Sequence, residues 1–410
     1  TTDEKALIEQ LDKPTTVYLG IDPTAPSIHC GNLVVLLVLK RLQQYGHTPI
    51  ALVGGSTGLV GDPSGKSEER SFNDEEVVKE WVERIRKQVS KFLDFDAKEN
   101  GAIAVNNYDW TKEYSALRLL REIGKHFSVN QMLSKDSVSS RLEAGGISYT
   151  EFSYQVLQSF DFLELYRRHN CTLQLGGSDQ WGNITTGTEL IRRIDGGEAF
   201  ALTTPLIKKA DGTKFGKTES GNIWLDANRT SPYKFYQFWL NAADGDAPGY
   251  MKIFSLKSRE EIEGIIAEHE KDPGRRILQK ALAEEITARV HGVEALEQSI
   301  AASQILFGNS DVSALKMLSN GQIQEIFEGV AQGKLSASEL SEGLSVSNLL
   351  VKSGFLSSNG EARRALQENS ISINKSKASA EQVVTTSDLL NGRYILLQRG
   401  KKNYFLLEIE

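Results

Sequence analysis

Residues 17–53 constrain this chain more than any other stretch. Val17 to Ile21 is a short β-rich run, broken by Asp22-Pro23-Thr24-Ala25-Pro26-Ser27. From Ile28 to Tyr45 apolar residues fall at helical spacing, Gly46 supplies a stop, and Thr48 to Val53 reads as a second strand. Leu33, Val34, Leu36, Leu37, Val38 and Leu39 leave that helix almost no polar face, so it belongs deep in a structure. Strand, buried helix and strand make a βαβ unit.

Other segments extend the pattern. Asn73, with Glu76 three positions on, can cap a helix whose Val77, Trp81, Ile85, Val89 and Phe92 share one face. Ala102 to Val105 and Thr172 to Leu175 read as further buried strands. Alternating strands and helices over about 225 residues predict a parallel, doubly wound sheet. After Asn228 the character changes. Ser231 to Val330 is mostly helical, with Glu260 to His269 and Gly274 to Val290 as periodic examples. Leu335 to Ser345 is rich in Ser, Glu and Gly and reads as a linker. Short helices and strands then return to Glu410, with Asn359-Gly360 and Asn391-Gly392 as turns.

Composition excludes several classes. With 40% hydrophobic and 25% charged residues the chain is neither disordered nor fibrous, and no run reaches the ~18 apolar residues of a membrane span. Two cysteines, Cys30 and Cys171, cannot build a disulfide framework, which suits a reducing compartment. The net charge of −7 argues against general polyanion binding. Residues 345–410 nevertheless hold nine Lys/Arg against six Asp/Glu, a net of +3, so the remainder carries −10. A small basic module on an acidic body points to a dedicated polyanion contact.

Five segments carry candidate chemistry. Asp22 to Asn32 lies between strand and helix, where open α/β sheets place ligands; His29, in the first helical turn, either caps the helix or meets phosphate. Gly54 to Ser67 follows the second strand, but Gly61 and Gly65 are separated by three residues where a phosphate loop needs four. There Asp62 could meet an ammonium group, and Lys66 and Arg70 could reach phosphates, or all three are solvated. Tyr154, Gln158 and Asp161 fall at i, i+4 and i+7, presenting a phenol, an amide and a carboxylate on one face. That face suits a small polar ligand or an internal hydrogen-bond network. Gln174 to Asn183 offers two glycines at a strand end and Asp179 for ribose hydroxyls. Lys208 to Thr218 is a lysine-rich loop that either closes over a triphosphate or stays solvated. No His/Cys cluster at metal spacing and no nucleophile elbow appears.

In this order Tyr18-Leu19-Gly20-Ile21-Asp22-Pro23-Thr24-Ala25, His29-Cys30-Gly31-Asn32, Ala51-Leu52-Val53-Gly54-Gly55, Gly176 to Asn183 and Lys214-Phe215-Gly216-Lys217-Thr218 resemble the motifs of the bacterial-type tyrosyl-tRNA synthetases, a class I aminoacyl-tRNA synthetase family. The tetrapeptide corresponds to HIGH, with Asn32 at its second His, and the pentapeptide to KMSKS, with both lysines in register. The resemblance implies a Rossmann-like doubly wound parallel sheet, followed by an α-helical domain and a small α+β RNA-binding domain. The boundaries are 1–228 for the catalytic domain, 229–334 for the helical, anticodon-side domain, 335–344 for the linker and 345–410 for the C-terminal module.

It further implies activation of L-tyrosine with ATP and transfer to the 3′ end of tRNA(Tyr). Tyr18 and Asp161 would bind the phenol, Asp62, Tyr154 and Gln158 the ammonium group, with Asp22 and Gln174 lining the pocket. Thr24 and His29 would meet the ATP phosphates, Gly31 and Asn32 the nucleoside, Asp179 the ribose, with Gly177 and Gln180 beside it. Lys66, Arg70, Lys214, Lys217 and Thr218 would stabilise departing pyrophosphate. Magnesium is expected with the nucleotide, and the partner is a second copy in a homodimer, with no membrane contact. In the C-terminal module Ser357 to Ala365 and Ile371 to Asn374 resemble a ribosomal-protein-like RNA-binding fold, with Arg363, Arg364, Arg399, Lys401 and Lys402 as phosphate contacts. The expected location is the cytoplasm, an organelle matrix being the other reducing choice, since the chain opens on Thr1-Thr2-Asp3 and a removed leader would be invisible. The alternative function is an inactive paralogue that binds structured RNA.

Overall fold

The computed structural model describes residues 1–64, 73–210, 212–213, 215–218, 221–307, 315–316, 318–327, 330–400 and 403–410, the side chains of Ala144, Lys217, Thr218, Ile305, Leu306 and Phe307 excepted. Two compact units are present: Thr1–Thr230 with Phe238–His291, and Ser231–Gln237 with Gly292–Glu410.

The first unit is built on five strands, β1 (Thr16–Ile21), β2 (Thr48–Val53), β3 (Ile103–Asn106), β4 (Cys171–Gly177) and β5 (Phe200–Thr204), in the order β3-β2-β1-β4-β5. Every pairing is parallel, with Thr16 opposite Thr48 and Leu173 opposite Phe200. The expected βαβ unit is there: Cys30–Gln44 forms the helix between β1 and β2, and Gly46 ends it at φ +92°. Leu33, Leu36, Leu37 and Leu39 are at most 1% exposed, each burial stabilising the fold by ~2 kcal/mol. The strand order reverses between β1 and β4, so the carboxyl ends of these two strands frame the crevice where such sheets take ligands.

The structure departs from the local sequence pattern at four points. The helix expected from Asn73 is Glu75–Val89, with Asp74 at its N-cap, and the face it buries is Val78, Val82, Ile85 and Val89, with Val77 and Trp81 only half-buried. Asn359-Gly360 is not a turn; it opens the helix Asn359–Gln367, capped by the Ser358 hydroxyl. Residues 335–344 are not a loose connector. Ala331–Leu335 pairs in parallel with Asn403–Ile409 at the edge of the second unit's five-stranded sheet, Ala337–Ser341 is helical, and Leu335, Leu340 and Leu344 are buried in that unit's core. The helical stretch after Asn228 is also divided, since residues 238–291 belong to the first unit.

Candidate active site

A buried polar cluster forms where β1, the one-turn helix Tyr108–Thr111 after β3 and the helix Tyr149–His169 meet. Tyr18 points inward from β1 at 1% exposure, against Phe162 at 5.2 Å between ring centroids, and its hydroxyl has no hydrogen-bond partner among the described residues. Asp161 is also buried, and both of its oxygens are held: Asn107 Nδ2 donates to Oδ2 at 2.9 Å, and Trp110 Nε1 to Oδ1 at 2.9 Å. Burial pushes the Asp161 carboxyl up to about 7, outweighing the downward pull of those two donors. Burial, with the charge of Asp161 second, keeps the Tyr18 hydroxyl protonated far above its ordinary range. Gln158 and Gln174 each keep a buried side-chain oxygen without a partner among the described residues. Unpaired buried polar atoms of this kind cost free energy that a ligand can recover.

Next to this lies a second carboxylate. Asp22, at the end of β1, accepts from Thr57 Oγ1 and from Tyr154 Oη, both at 2.6 Å. Burial, followed by the charge of Asp22, raises the Tyr154 hydroxyl well above its ordinary value, so it remains the donor. Asp62 accepts from Gln180 Nε2 at 2.6 Å, from the Ser64 N–H at 2.9 Å and, longer, from Asn183 Nδ2 at 3.4 Å. Gln180, expected beside the nucleotide, thus also orients an acid expected beside the ammonium group.

At the mouth, His29 is the N-cap of Cys30–Gln44. Its Nδ1 accepts from the Gly31 N–H at 3.0 Å, while Asn32 Oδ1 accepts from the His29 N–H at 3.0 Å, completing a capping box. The cap engages Nδ1, and the ring packs edge-on against Trp224 at 5.9 Å between centroids. A Cβ at Gly31 would stand 2.8 Å from His29 Cε1, so the glycine is what lets the ring lie over the helix end. The segment after the lysine-rich loop is stitched to this same turn. Cys30 N–H donates to Ile223 O, Leu225 N–H to Ile28 O, and Ile223 N–H to Gly216 O. Phe215 is buried among Phe238, Trp239, Tyr250 and Phe254, stacked on the last at 5.0 Å. Thr24 and Asp179 are exposed, and Gly177 ends β4. Lys66, Arg70 and Lys214 lie outside the described residues, as do the side chains of Lys217 and Thr218. Beside Asp179 a cleft of about 940 Å³ opens, bordered by Phe127, Lys135, Gln155, Trp181 and Arg193.

A family model described as tRNA synthetases class I (W and Y) matches residues 10–308, and one described as the tyrosine–tRNA ligase SYY-like C-terminal domain matches 322–407. The chain belongs to the class I tRNA synthetases. A tyrosine–tRNA ligase of Flavobacterium johnsoniae is 55% identical over 408 residues, covering 98% of this chain and 95% of the relative. One from Bacteroides thetaiotaomicron is 55% identical over 398 residues, covering 96% and 93%. Among solved structures, a C-terminally truncated mitochondrial tyrosyl-tRNA synthetase of Aspergillus nidulans matches at a TM-score of 0.67 and 30% identity, over 74% of this chain and 89% of that one.

In this synthetase, sequence reasoning missed Thr57, Asn107 and Trp110. Asn107 is the N-cap of the one-turn helix Tyr108–Thr111 just after β3, and Trp110 lies within it; that turn carries no motif of its own, and only the tertiary fold brings the two to Asp161. In the C-terminal module Arg363 and Arg364 are exposed on the helix Asn359–Gln367, whereas Arg399 is engaged by Glu361 at 2.6 Å. Hydrogen bonds from Ser357, and then Arg399, hold the Glu361 carboxyl at about 2. Lys401 and Lys402 lie outside the described residues.

Proposed function

We infer that this chain is a tyrosine–tRNA ligase: with ATP it converts L-tyrosine to tyrosyl-adenylate and pyrophosphate, then passes tyrosine to the 3′ end of tRNA(Tyr). The observation that carries the amino-acid choice is the pairing of the unpartnered Tyr18 hydroxyl with Asp161. A substrate phenol both accepts and donates: it can accept a hydrogen bond from the Tyr18 hydroxyl and donate one to the carboxylate. An indole N–H only donates, and a phenyl ring does neither, so either would strand buried polar groups. Asp62, Tyr154 and Gln158 are assigned to the ammonium group, with Asp22 and Gln174 completing the pocket wall.

The substrate carboxylate is its own nucleophile. One of its oxygens bonds to the α-phosphorus, the bond from that phosphorus to the bridging oxygen breaks, and pyrophosphate leaves with the electron pair. A ribose hydroxyl of the tRNA then attacks the carbonyl and AMP departs. The protein must hold the groups in line and neutralise growing charge. Thr24, His29, Gly31 and Asn32 are assigned to the nucleotide from the helix N-terminus, Gly177, Asp179 and Gln180 from the end of β4, and Lys66, Arg70, Lys214, Lys217 and Thr218 to the departing pyrophosphate. Magnesium is assigned to the nucleotide's own phosphates, since among the described residues no three His, Cys, Asp or Glu side chains are grouped to hold a metal. The cleft beside Asp179 has room for the tRNA's 3′ end, and Arg363, Arg364, Arg399, Lys401 and Lys402 are assigned to its phosphates elsewhere.

A homodimer is part of the proposal. Leu117, Leu120, Val129, Leu133, Leu142 and Tyr149 are large apolar side chains left exposed within 33 residues, as an interface surface would leave them in a lone chain. No described helix is long and apolar enough to cross a membrane. The proposed compartment is the cytoplasm. Tyrosine-dependent exchange of pyrophosphate into ATP, measured without tRNA against all twenty amino acids, tests the reading. Exchange with tyrosine alone is expected; exchange driven by tryptophan would move the specificity, and none at all would leave the RNA-binding alternative.

A further inference from the structure

A buried chain of hydrogen bonds joins two of the site's carboxylates, Asp161 and Asp22. The Ser56 N–H donates to Asn107 Oδ1 at 2.8 Å, which orients the amide so that its NH2 faces the other way. Asn107 Nδ2 then donates both to Asp161 Oδ2 at 2.9 Å and to Thr57 Oγ1 at 3.0 Å. Thr57 has one hydroxyl proton, directed to Asp22 Oδ1 at 2.6 Å, so it must accept from Asn107. Tyr154 donates to the other Asp22 oxygen, and because Tyr154 and Asp161 share the helix Tyr149–His169, the chain closes into a ring. Thr57 and Asn107 are 2% and 0% exposed. Space for the Thr57–Asp22 contact exists only because residue 54 is glycine: a Cβ there would stand 2.1 Å from Asp22 Oδ1 and 2.2 Å from Thr57 Oγ1.

We propose that Thr57 is a positioning residue which, through Asn107, couples the phenol-facing carboxylate Asp161 to Asp22 and Tyr154 nearer the reacting end of the substrate. The proposal rests on the tyrosine–tRNA ligase reading. Every link has a fixed polarity, ending on a carboxylate at each side. Removing the hydroxyl takes a donor from Asp22 and an acceptor from Asn107 together, and the two acids then relax independently.

Thr57→Val keeps the shape and removes the hydroxyl. In tyrosine-dependent exchange its kcat/KM should fall roughly ten- to a hundredfold, the effect of losing a hydrogen bond to a charged acceptor. The rise in KM for tyrosine should be accompanied by a lower tyrosine-to-phenylalanine ratio, although Thr57 bonds protein groups. Thr57→Ser, which keeps the hydroxyl, should restore most of both. In the double variant with Asp161→Asn, Thr57→Val should cost much less than it does alone. Fully multiplicative effects, or an unmoved tyrosine-to-phenylalanine ratio, overturn the proposal. Should Thr57→Val melt too low to assay, Thr57→Cys, of similar volume and weaker donor, is read by the same criteria. Wild-type protein without tyrosine-dependent exchange would overturn the ligase reading and the coupling with it; active wild type with multiplicative variants sinks the coupling alone.

Discussion

At one end of the site Tyr18 and Asp161 are 1% and 3% exposed, and each Asp161 oxygen is already bonded by a neighbouring donor. At the other, Thr24 and Asp179 face solvent, and the parts that are fixed are backbone: the N–H groups of the Cys30–Gln44 turn, capped by His29 and Asn32, and the glycine end of β4. The contrast follows from what each end is proposed to hold. A phenol is small and neutral, so its partners can be buried in advance and arranged to reject anything lacking the hydroxyl. A triphosphate carries too much charge to be met by pre-buried cations, whose desolvation would cost several kcal/mol each. Water and a helix dipole serve until it arrives.

Asp161→Ala strikes the buried end hardest. It strands the donors of Asn107 and Trp110 as well as the substrate hydroxyl, so kcat/KM for tyrosine should fall by about 4 kcal/mol, roughly a thousandfold, with phenylalanine affected far less. An unchanged ratio between the two substrates in pyrophosphate exchange would remove Asp161 from the phenol. At the open end, His29→Ala should lower kcat by about 3 kcal/mol, roughly a hundredfold, leaving KM for tyrosine nearly constant. His29→Asn sharpens the point, since it restores an N-cap acceptor and melting temperature without restoring kcat. Trp110→Phe removes one of two donors from Asp161 and should cost about 1.5 kcal/mol, roughly tenfold, in kcat/KM for tyrosine. Because that donor pulls the carboxyl down, its loss should also move the Asp161 titration upward, visible in the pH profile of tyrosine binding.

The remaining effect is on stability. Asp161 titrates at about 7 in the fold, against about 3.9 in an unfolded chain, so the folded protein holds that proton more tightly. Its contribution therefore favours the fold below about pH 4 and is lost as pH rises through about 7. Compared with Asp161→Asn, the wild type should lose melting temperature between about pH 5 and pH 8; a parallel pair of curves would deny the shift.

The two ends also differ in how far they could be read from sequence. The mouth of the site lies on contiguous motifs, His29 to Asn32 and Gly176 to Asn183, and Tyr154, Gln158 and Asp161 follow from helical spacing. Thr57 follows β2, while Asn107 and Trp110 follow β3, and their meeting with Asp161 depends on strand order, which no local pattern encodes. The same limit explains the smaller misreadings. Val77 and Val78 are both apolar, so composition cannot choose which of them faces the core in Glu75–Val89; packing buries Val78. Asn359-Gly360 has turn chemistry, but Ser358 before it supplies a helix cap. In 335–344 the many serines and glutamates conceal three leucines whose spacing fits a core.

Those three leucines have a practical consequence for anyone who would cut this polypeptide to obtain its basic tail alone. A fragment starting at Ser345 forfeits Leu335, Leu340 and Leu344 together with an entire edge strand, and leaves Asn403–Ile409 bare along one side. Such a piece should be sticky and poorly behaved, whereas a cut placed ahead of Ala331 keeps the sheet whole.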